Sequence, residues 1–213
     1  LVVILGSFWM KLPGRNTRFI KTDKRRGSEG AAEGMTVSEM LKTRAFWMFF
    51  VWGMMILVSS YAVIGNAKQC VLDLDSSATL MATLSVIVIS VCNGLGRLIL
   101  GTAYDKLGRM KTMTINSLMI MVSSILLISA FQTGSVLLMI IGFILVGFAY
   151  GGVPPTSSAF IADFFGTKNY SLKFGVVTLY IFIGAFGSTL AGLIKDSAGS
   201  FENLFYVLIG LGI

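Results

Sequence analysis

Residues 90–111 read SVCNGLGRLILGTAYDKLGRMK. One arginine, Arg97, sits inside a run otherwise apolar enough to cross a bilayer. A compact Gly-x-x-x-Asp-Lys-x-Gly-Arg-x-Lys element follows at residues 101–111. A charge at bilayer depth costs roughly 2.5–3.5 kcal/mol on insertion scales, so a helix that keeps one usually has a use for it. Arg97 is therefore the leading candidate site residue.

Working outward, 55% of the chain is hydrophobic, only 13% is charged, and the mean hydropathy is +0.82. A soluble domain of this size cannot bury that much apolar surface, so the fold class is an all-α polytopic membrane protein. Apolar runs at 45–64, 78–101, 113–131, 136–162 and 174–194 are each about long enough for a bilayer core of roughly 30 Å. Runs of this length are helices rather than barrel strands. Residues 1–10 and 204–213 are apolar but too short, since ten helical residues rise only about 15 Å. They read as two partial spans flanking five complete ones, and the sequence as a piece of a larger protein.

The net charge of +7 invites a nucleic-acid reading, but its placement argues against one. Nine Lys or Arg fall in residues 11–44, three in 106–111, and two more are Lys168 and Lys173. The alternate loops hold only Lys68 and Lys195. That alternation is the positive-inside pattern. It predicts that residues 11–44, 102–112 and 166–173 face the cytoplasm, while 65–77, 132–135 and 195–203 face outward. Residues 11–44, with their Gly, Ser and Glu, read as a flexible cytoplasmic linker. The partners expected are the lipid bilayer and a small-molecule substrate, with no nucleic acid. The location expected is the cell membrane.

The two cysteines, Cys70 and Cys92, fall at different predicted depths, and histidine is absent. His-based zinc sites, a Ser-His-Asp triad and a His proton relay are thus excluded from this stretch. With no convergent nucleophile, base or metal set, neither an enzyme nor a cofactor or metal site is expected.

Within the spans, polar residues mark the candidate site. Ser90, Asn93 and Arg97 are spaced three and four apart, hence on one helical face, and Gly94 and Gly96 allow close approach of a neighbouring backbone. Two readings of Arg97 stand: a substrate anchor in a cavity, or a side chain snorkelling to the headgroups. Tyr61 reads first as an interface anchor near a helix end and second as a cavity residue. Phe46, Trp47, Phe49, Phe50 and Trp52 read as an interfacial aromatic belt. Pro154 and Pro155 cannot donate to the carbonyls of Tyr150 and Gly151, which predicts a bend, with Tyr150 a cavity candidate. Asn116, Ser117, Ser123, Ser124 and Ser129 read as packing groups. Residues 35–44 regain helical character, with Thr36 or Ser38 as N-cap and Glu39 in the first turn.

The element Gly101-Thr-Ala-Tyr-Asp105-Lys106-Leu-Gly108-Arg109-Met-Lys111 resembles the signature cytoplasmic loop of the major facilitator superfamily. The resemblance implies the C-terminal six-helix half of a twelve-helix fold, running from the end of helix six (1–10) to the start of helix twelve (204–213). Residues 11–44 would be the central loop, 45–213 the C-terminal bundle, and an N-terminal six-helix half the missing partner. Asn93-Gly-Leu-Gly-Arg97 resembles the eighth helix of oxalate:formate antiporters and monocarboxylate transporters. Residues 150–166 are similar to their tenth helix and its exit. In those families an arginine at this place binds the substrate carboxylate. The implied function is secondary transport of small organic anions by alternating access, with Arg97, Asn93, Tyr150 and Tyr61 as the substrate-binding set. Gly101, Asp105, Lys106, Gly108 and Arg109 would form a cytoplasmic gate, in which Asp105 either latches one state or caps its own loop. The eleventh helix, 174–194, lacks the lysine of oxalate antiporters, which points away from oxalate. The alternative function is an efflux pump for hydrophobic or cationic compounds.

Overall fold

The computed structural model describes residues 34–199 and 201–206; the partial span 1–10, most of the linker and the greater part of 204–213 lie outside them. Seven helices lie wholly within the described residues: α1 (Val37–Leu41), α2 (Arg44–Leu74), α3 (Thr79–Leu107), α4 (Arg109–Thr133), α5 (Val136–Phe165), α6 (Tyr170–Val177) and α7 (Leu179–Ala198), and residues 202–206 are helical as well. Five segments are long and apolar enough to cross a membrane, α6 and α7 counting together as one. Each of the five full-length apolar runs lies inside one of them, apart from Ala78, which is the N-cap of α3.

The helices outrun the apolar runs because a hydrogen-bond ladder does not stop where the hydrocarbon does. Helix α2 continues through Lys68 and Gln69 to Leu74, where Ala67, Cys70 and Val71 are buried. Lys195 of α7 closes that end with an ion pair to Asp73, 2.7 Å apart. At the other end Thr36 caps α1 in a reciprocal capping box with Glu39. The Thr36 backbone N–H and hydroxyl hold the Glu39 carboxyl below its ordinary range. Asp75, after α2, is likewise lowered by the hydroxyl and backbone N–H of Ser77.

Helix α5 is the hub. It packs most extensively on α3 and α4, and also on α2 and α6; α2 packs on α7. Its hydroxyl and carboxylate groups tie it to four other helices: Tyr150 to Tyr61 of α2, Ser157 to Tyr180 of α7, Ser158 to Tyr170 of α6 and Asp163 to Tyr104 of α3. On α4, Ser123 donates to the Gly142 carbonyl. Of the five polar groups read as packing, Asn116, Ser123 and Ser124 are buried, while Ser117 and Ser129 are half-buried. Pro154 and Pro155 fall inside α5, which continues through both.

Two close helix pairs are laced by glycine. A Cβ on Gly96 of α3 would lie 2.6 Å from the Phe148 carbonyl oxygen, and one on Gly147 of α5 would lie 2.8 Å from that of Ile89. A Cβ on Gly184 of α7 would lie 2.7 Å from Leu57 of α2, and Gly187 meets the Val58 backbone closer still. In both pairs the contacts advance in the same direction along the two chains, so the helices run parallel. Without a hydrophobic driving force between helices in lipid, such backbone proximity is what holds a membrane bundle together. The pattern is also a topology. Taking α2-α3-α4 as one triplet and α5 with α6–α7 as the start of another, each close pair joins the second helix of one to the first of the other. That exchange is what an inverted repeat produces.

Two expectations need correction. Of the aromatic belt, Phe46 and Phe49 are interior, Phe49 stacking on Phe160 at 4.0 Å; Trp47 remains exposed, its indole N–H donating to the Leu41 carbonyl. The element at 101–111 is not an extended loop. Helix α3 runs to Leu107 and α4 begins at Arg109, leaving Gly108 as a one-residue turn at φ 80°, ψ 169°. That region of backbone space is essentially restricted to glycine.

Candidate functional site

Tyr61, Asn93 and Tyr150 fall within about two residues of the centres of α2, α3 and α5, and the helix contacts bring their levels together. Gly151 approaches the Asn93 backbone so closely that it has no room for a Cβ. One residue earlier, Tyr150 shares a 2.9 Å hydroxyl hydrogen bond with Tyr61, their rings edge to face at 5.3 Å. Tyr61 is thus not at a helix end, and its reading as an interface anchor falls away. The expectation depended on α2 stopping at 64, ten residues before it does.

Arg97 lies one turn beyond Asn93. It is exposed and has no hydrogen bond or carboxylate partner among the described residues. Its surroundings follow from the helix. The face centred on Ile89, Cys92, Gly96 and Leu100 is buried against α5. At 100° per residue, one exposed flank then carries Val91, Leu95, Leu98 and Ile99. The other carries Thr83, Val86, Ile87, Ser90, Gly94, Arg97 and half-buried Gly101. One flank is aliphatic in the manner of a lipid-facing surface. The other is mostly small and polar with a single cation, Val86 and Ile87 being its aliphatic members. Asn93 sits at the junction of this polar flank with α5, its amide oxygen buried without a donor among the described residues. Ser90 instead satisfies its hydroxyl on the Val86 carbonyl.

The residues of the 101–111 element separate into three kinds. Gly101 faces Pro155, and a Cβ there would come 3.3 Å from the ring. Gly108 makes the turn. Arg109 is half-buried, its guanidinium 4.0 Å from the centre of the Phe164 ring on α5. Asp105 and Lys106 are exposed. No side chain caps the start of α4, so the reading of Asp105 as its own loop's cap is not what the structure contains.

Two groups escaped the sequence reading. Tyr104, within the same element and buried, donates to Asp163 at 3.0 Å and so ties the ends of α3 and α5. Lys173 is fully buried and donates to the carbonyls of Phe165 and Gly166, capping the C-terminal end of α5. A cation there is favourable because it meets the negative end of the helix dipole. The signal for Lys173 was its position seven residues after Gly166, legible only once both helix ends are known.

Parallel helix pairs exchanged between inverted triplets, with a polar flank at mid-depth, define a transporter-type membrane bundle. The comparisons agree. A sequence profile described as the Major Facilitator Superfamily matches residues 53–213. The chain is also 30% identical over 186 residues to the uncharacterized MFS-type transporter YhjX of Escherichia coli (strain K12). That alignment covers 87% of this chain and 44% of that protein. The chain belongs to the major facilitator superfamily of membrane transporters, and spans less than half the length of this curated relative.

Proposed function

We propose that this chain is one half of a secondary transporter that moves small monocarboxylate anions by alternating access. The reading is carried by Arg97: a cation on the polar flank of a spanning helix, one turn from the Tyr61–Tyr150 level, with no acid paired to it among the described residues. All described Asp and Glu residues lie near helix ends. That argues against efflux of cations, which needs a carboxylate at depth. A guanidinium can grip both oxygens of a carboxylate in a fixed fork, and a water-poor cavity strengthens the pair. Asn93 and the tyrosine hydroxyls would supply neutral hydrogen bonds. The resemblance of residues 93–101 to the eighth helix of oxalate:formate antiporters and monocarboxylate transporters supports the same class.

In this account the polar flank of α3 faces a second six-helix half across the substrate path, and the halves rock about it. The end bearing Lys106, Arg109, Lys111, Lys168 and Lys173 is cytoplasmic, by the positive-inside pattern, in a plasma membrane. Gly101, Asp105, Lys106, Gly108 and Arg109 act there as the gate, with Asp105 free to reach a helix N-terminus of the other half in one state.

A single cation favours a single negative charge. A dianion enclosed with Arg97 alone would keep an uncompensated charge in a low-dielectric cavity, which is expensive. Lys173, the cation at the start of the α6–α7 span, is already engaged by the α5 carbonyls. Counterflow by the full-length protein in proteoliposomes tests the substrate class. Labelled formate or lactate uptake is expected to be displaced by unlabelled monocarboxylates far better than by oxalate. Equal or stronger displacement by oxalate would overturn the charge argument.

A further inference from the structure

The two prolines of α5 leave one backbone carbonyl without a helical donor. A carbonyl at position i accepts from the N–H of residue i+4 in an α-helix, or of i+3 in a tighter turn. For Gly151 those residues are Pro155 and Pro154, and neither has an N–H. Tyr150 still has the N–H of Val153 in reach, so Gly151 carries the orphan. Gly151 is buried, and no side chain among the described residues donates to its carbonyl. A buried carbonyl without a donor is costly, and the Pro155 ring crowds this one out of the helical line.

Its surroundings identify the donor. A Cβ on Gly151 would run into the backbone of Asn93, and one on Gly101 would come 3.3 Å from Pro155. The stretch 151–155 of α5 therefore lies along the row Asn93, Arg97, Gly101 of α3, with Arg97 one turn from either end. Asn93 adds a second buried acceptor with no donor, its amide oxygen. Arg97 is the cation of that row, and its five N–H groups have no acceptor among the described residues.

We propose that Pro155 is a positioning residue: by withholding an N–H, it leaves the Gly151 carbonyl to accept from Arg97 when the guanidinium holds a carboxylate. The inference rests on the carboxylate reading of Arg97. Gripping both carboxylate oxygens uses two of the five N–H groups. A third, anchored on a fixed backbone carbonyl, sets the angle at which a long and flexible side chain presents its fork. A neutral carbonyl suits that task, whereas a carboxylate in its place would compete with the substrate for the charge.

Equilibrium binding of labelled formate to the purified full-length protein tests this, with alanine at 155 compared with its α-hydroxy acid analogue. The analogue places an ester where alanine has an amide, so the two differ by one N–H. Pro155→Ala is expected to bind formate on the order of tenfold more weakly than wild type, the scale of one charge-assisted hydrogen bond. The ester should recover most of that loss. Pro154→Ala, which returns an α-helical donor to Tyr150, should bind nearly as wild type does. The penalty of Pro155→Ala should persist in an Asn93→Ala background; its disappearance there would make the Asn93 amide the donor and overturn the role given to Arg97. Equal affinities of amide and ester, with Arg97→Ala still deficient, would overturn the inference and leave the carboxylate reading standing. An equal loss in Pro154→Ala would assign the effect to helix shape and overturn it as well. No formate binding by wild type, or undiminished binding by Arg97→Ala, would overturn both.

Discussion

Replacing Arg97 with alanine in the full-length transporter is expected to abolish carboxylate binding while leaving the protein folded and inserted. Both halves of that expectation follow from position. Arg97 makes no hydrogen bond or ion pair within the described bundle and stands on the exposed polar flank of α3, so removing it unties nothing. In the complex, by contrast, truncating one partner of a desolvated, hydrogen-bonded charge pair costs about 2–5 kcal/mol, roughly 30- to 4000-fold in affinity. Arg97→Lys should recover little, because an ammonium is a point charge and cannot hold two oxygens in a fixed geometry. Equilibrium binding of labelled formate to purified protein checks the affinity, and monodispersity on size exclusion checks the fold. Wild-type affinity in the alanine variant would mean that Arg97 only snorkels.

The second large effect is structural and lies one residue away. Gly96→Leu should prevent or severely weaken assembly of the bundle, whereas Gly94→Leu should fold. The Cβ of any residue at 96 would meet the Phe148 carbonyl oxygen at 2.6 Å and its Cα at 3.0 Å, both backbone atoms of the hub helix. Neither can swing aside as a side-chain end would, so α3 and α5 must separate along their whole contact. Overpacking typically costs about 1–3 kcal/mol, and here it also disturbs the partner contacts at Gly147 and Gly151. At Gly94 nothing lies within 4 Å of an added Cβ. Yield of monodisperse protein and the thermal unfolding midpoint separate the two variants. Equal midpoints would mean that the close α3–α5 contact does not hold the bundle.

The contrast between these neighbouring residues shows what the sequence could and could not disclose. Five apolar runs announced five spans because hydropathy reports the bilayer directly. The cap of α1 was legible only in part: Thr36 and Ser38 both suited the N-cap, and the structure selects Thr36, paired with Glu39. The spacing of Ser90, Asn93 and Arg97 identified a face, but not that Asn93 turns toward α5 while Arg97 turns away. That division depends on which side of α3 the hub helix occupies. Helix ends were less visible, since Lys68 and Asp73 interrupt the hydropathy of α2 without interrupting its hydrogen bonds. The misreading of Tyr61 followed from that alone. Tyr104 and Asp163 are 59 residues apart, and no local pattern links them. The break between α6 and α7 at Thr178 carries no proline to announce it.

The central claim is that the polar flank of α3 lines an aqueous path to a carboxylate site while its aliphatic flank faces lipid. Cysteine accessibility tests this most directly. In a full-length background free of other cysteines, Ser90→Cys and Gly94→Cys would be compared with Val91→Cys and Leu98→Cys. Thiol reagents attack the thiolate, which forms in water and not in hydrocarbon, so reactivity reports wetting. The account predicts that residues 90 and 94 react with a water-soluble methanethiosulfonate and that formate slows the reaction, while residues 91 and 98 stay inert. Labelling that is equal on both flanks, or stronger at 91 and 98, would contradict it.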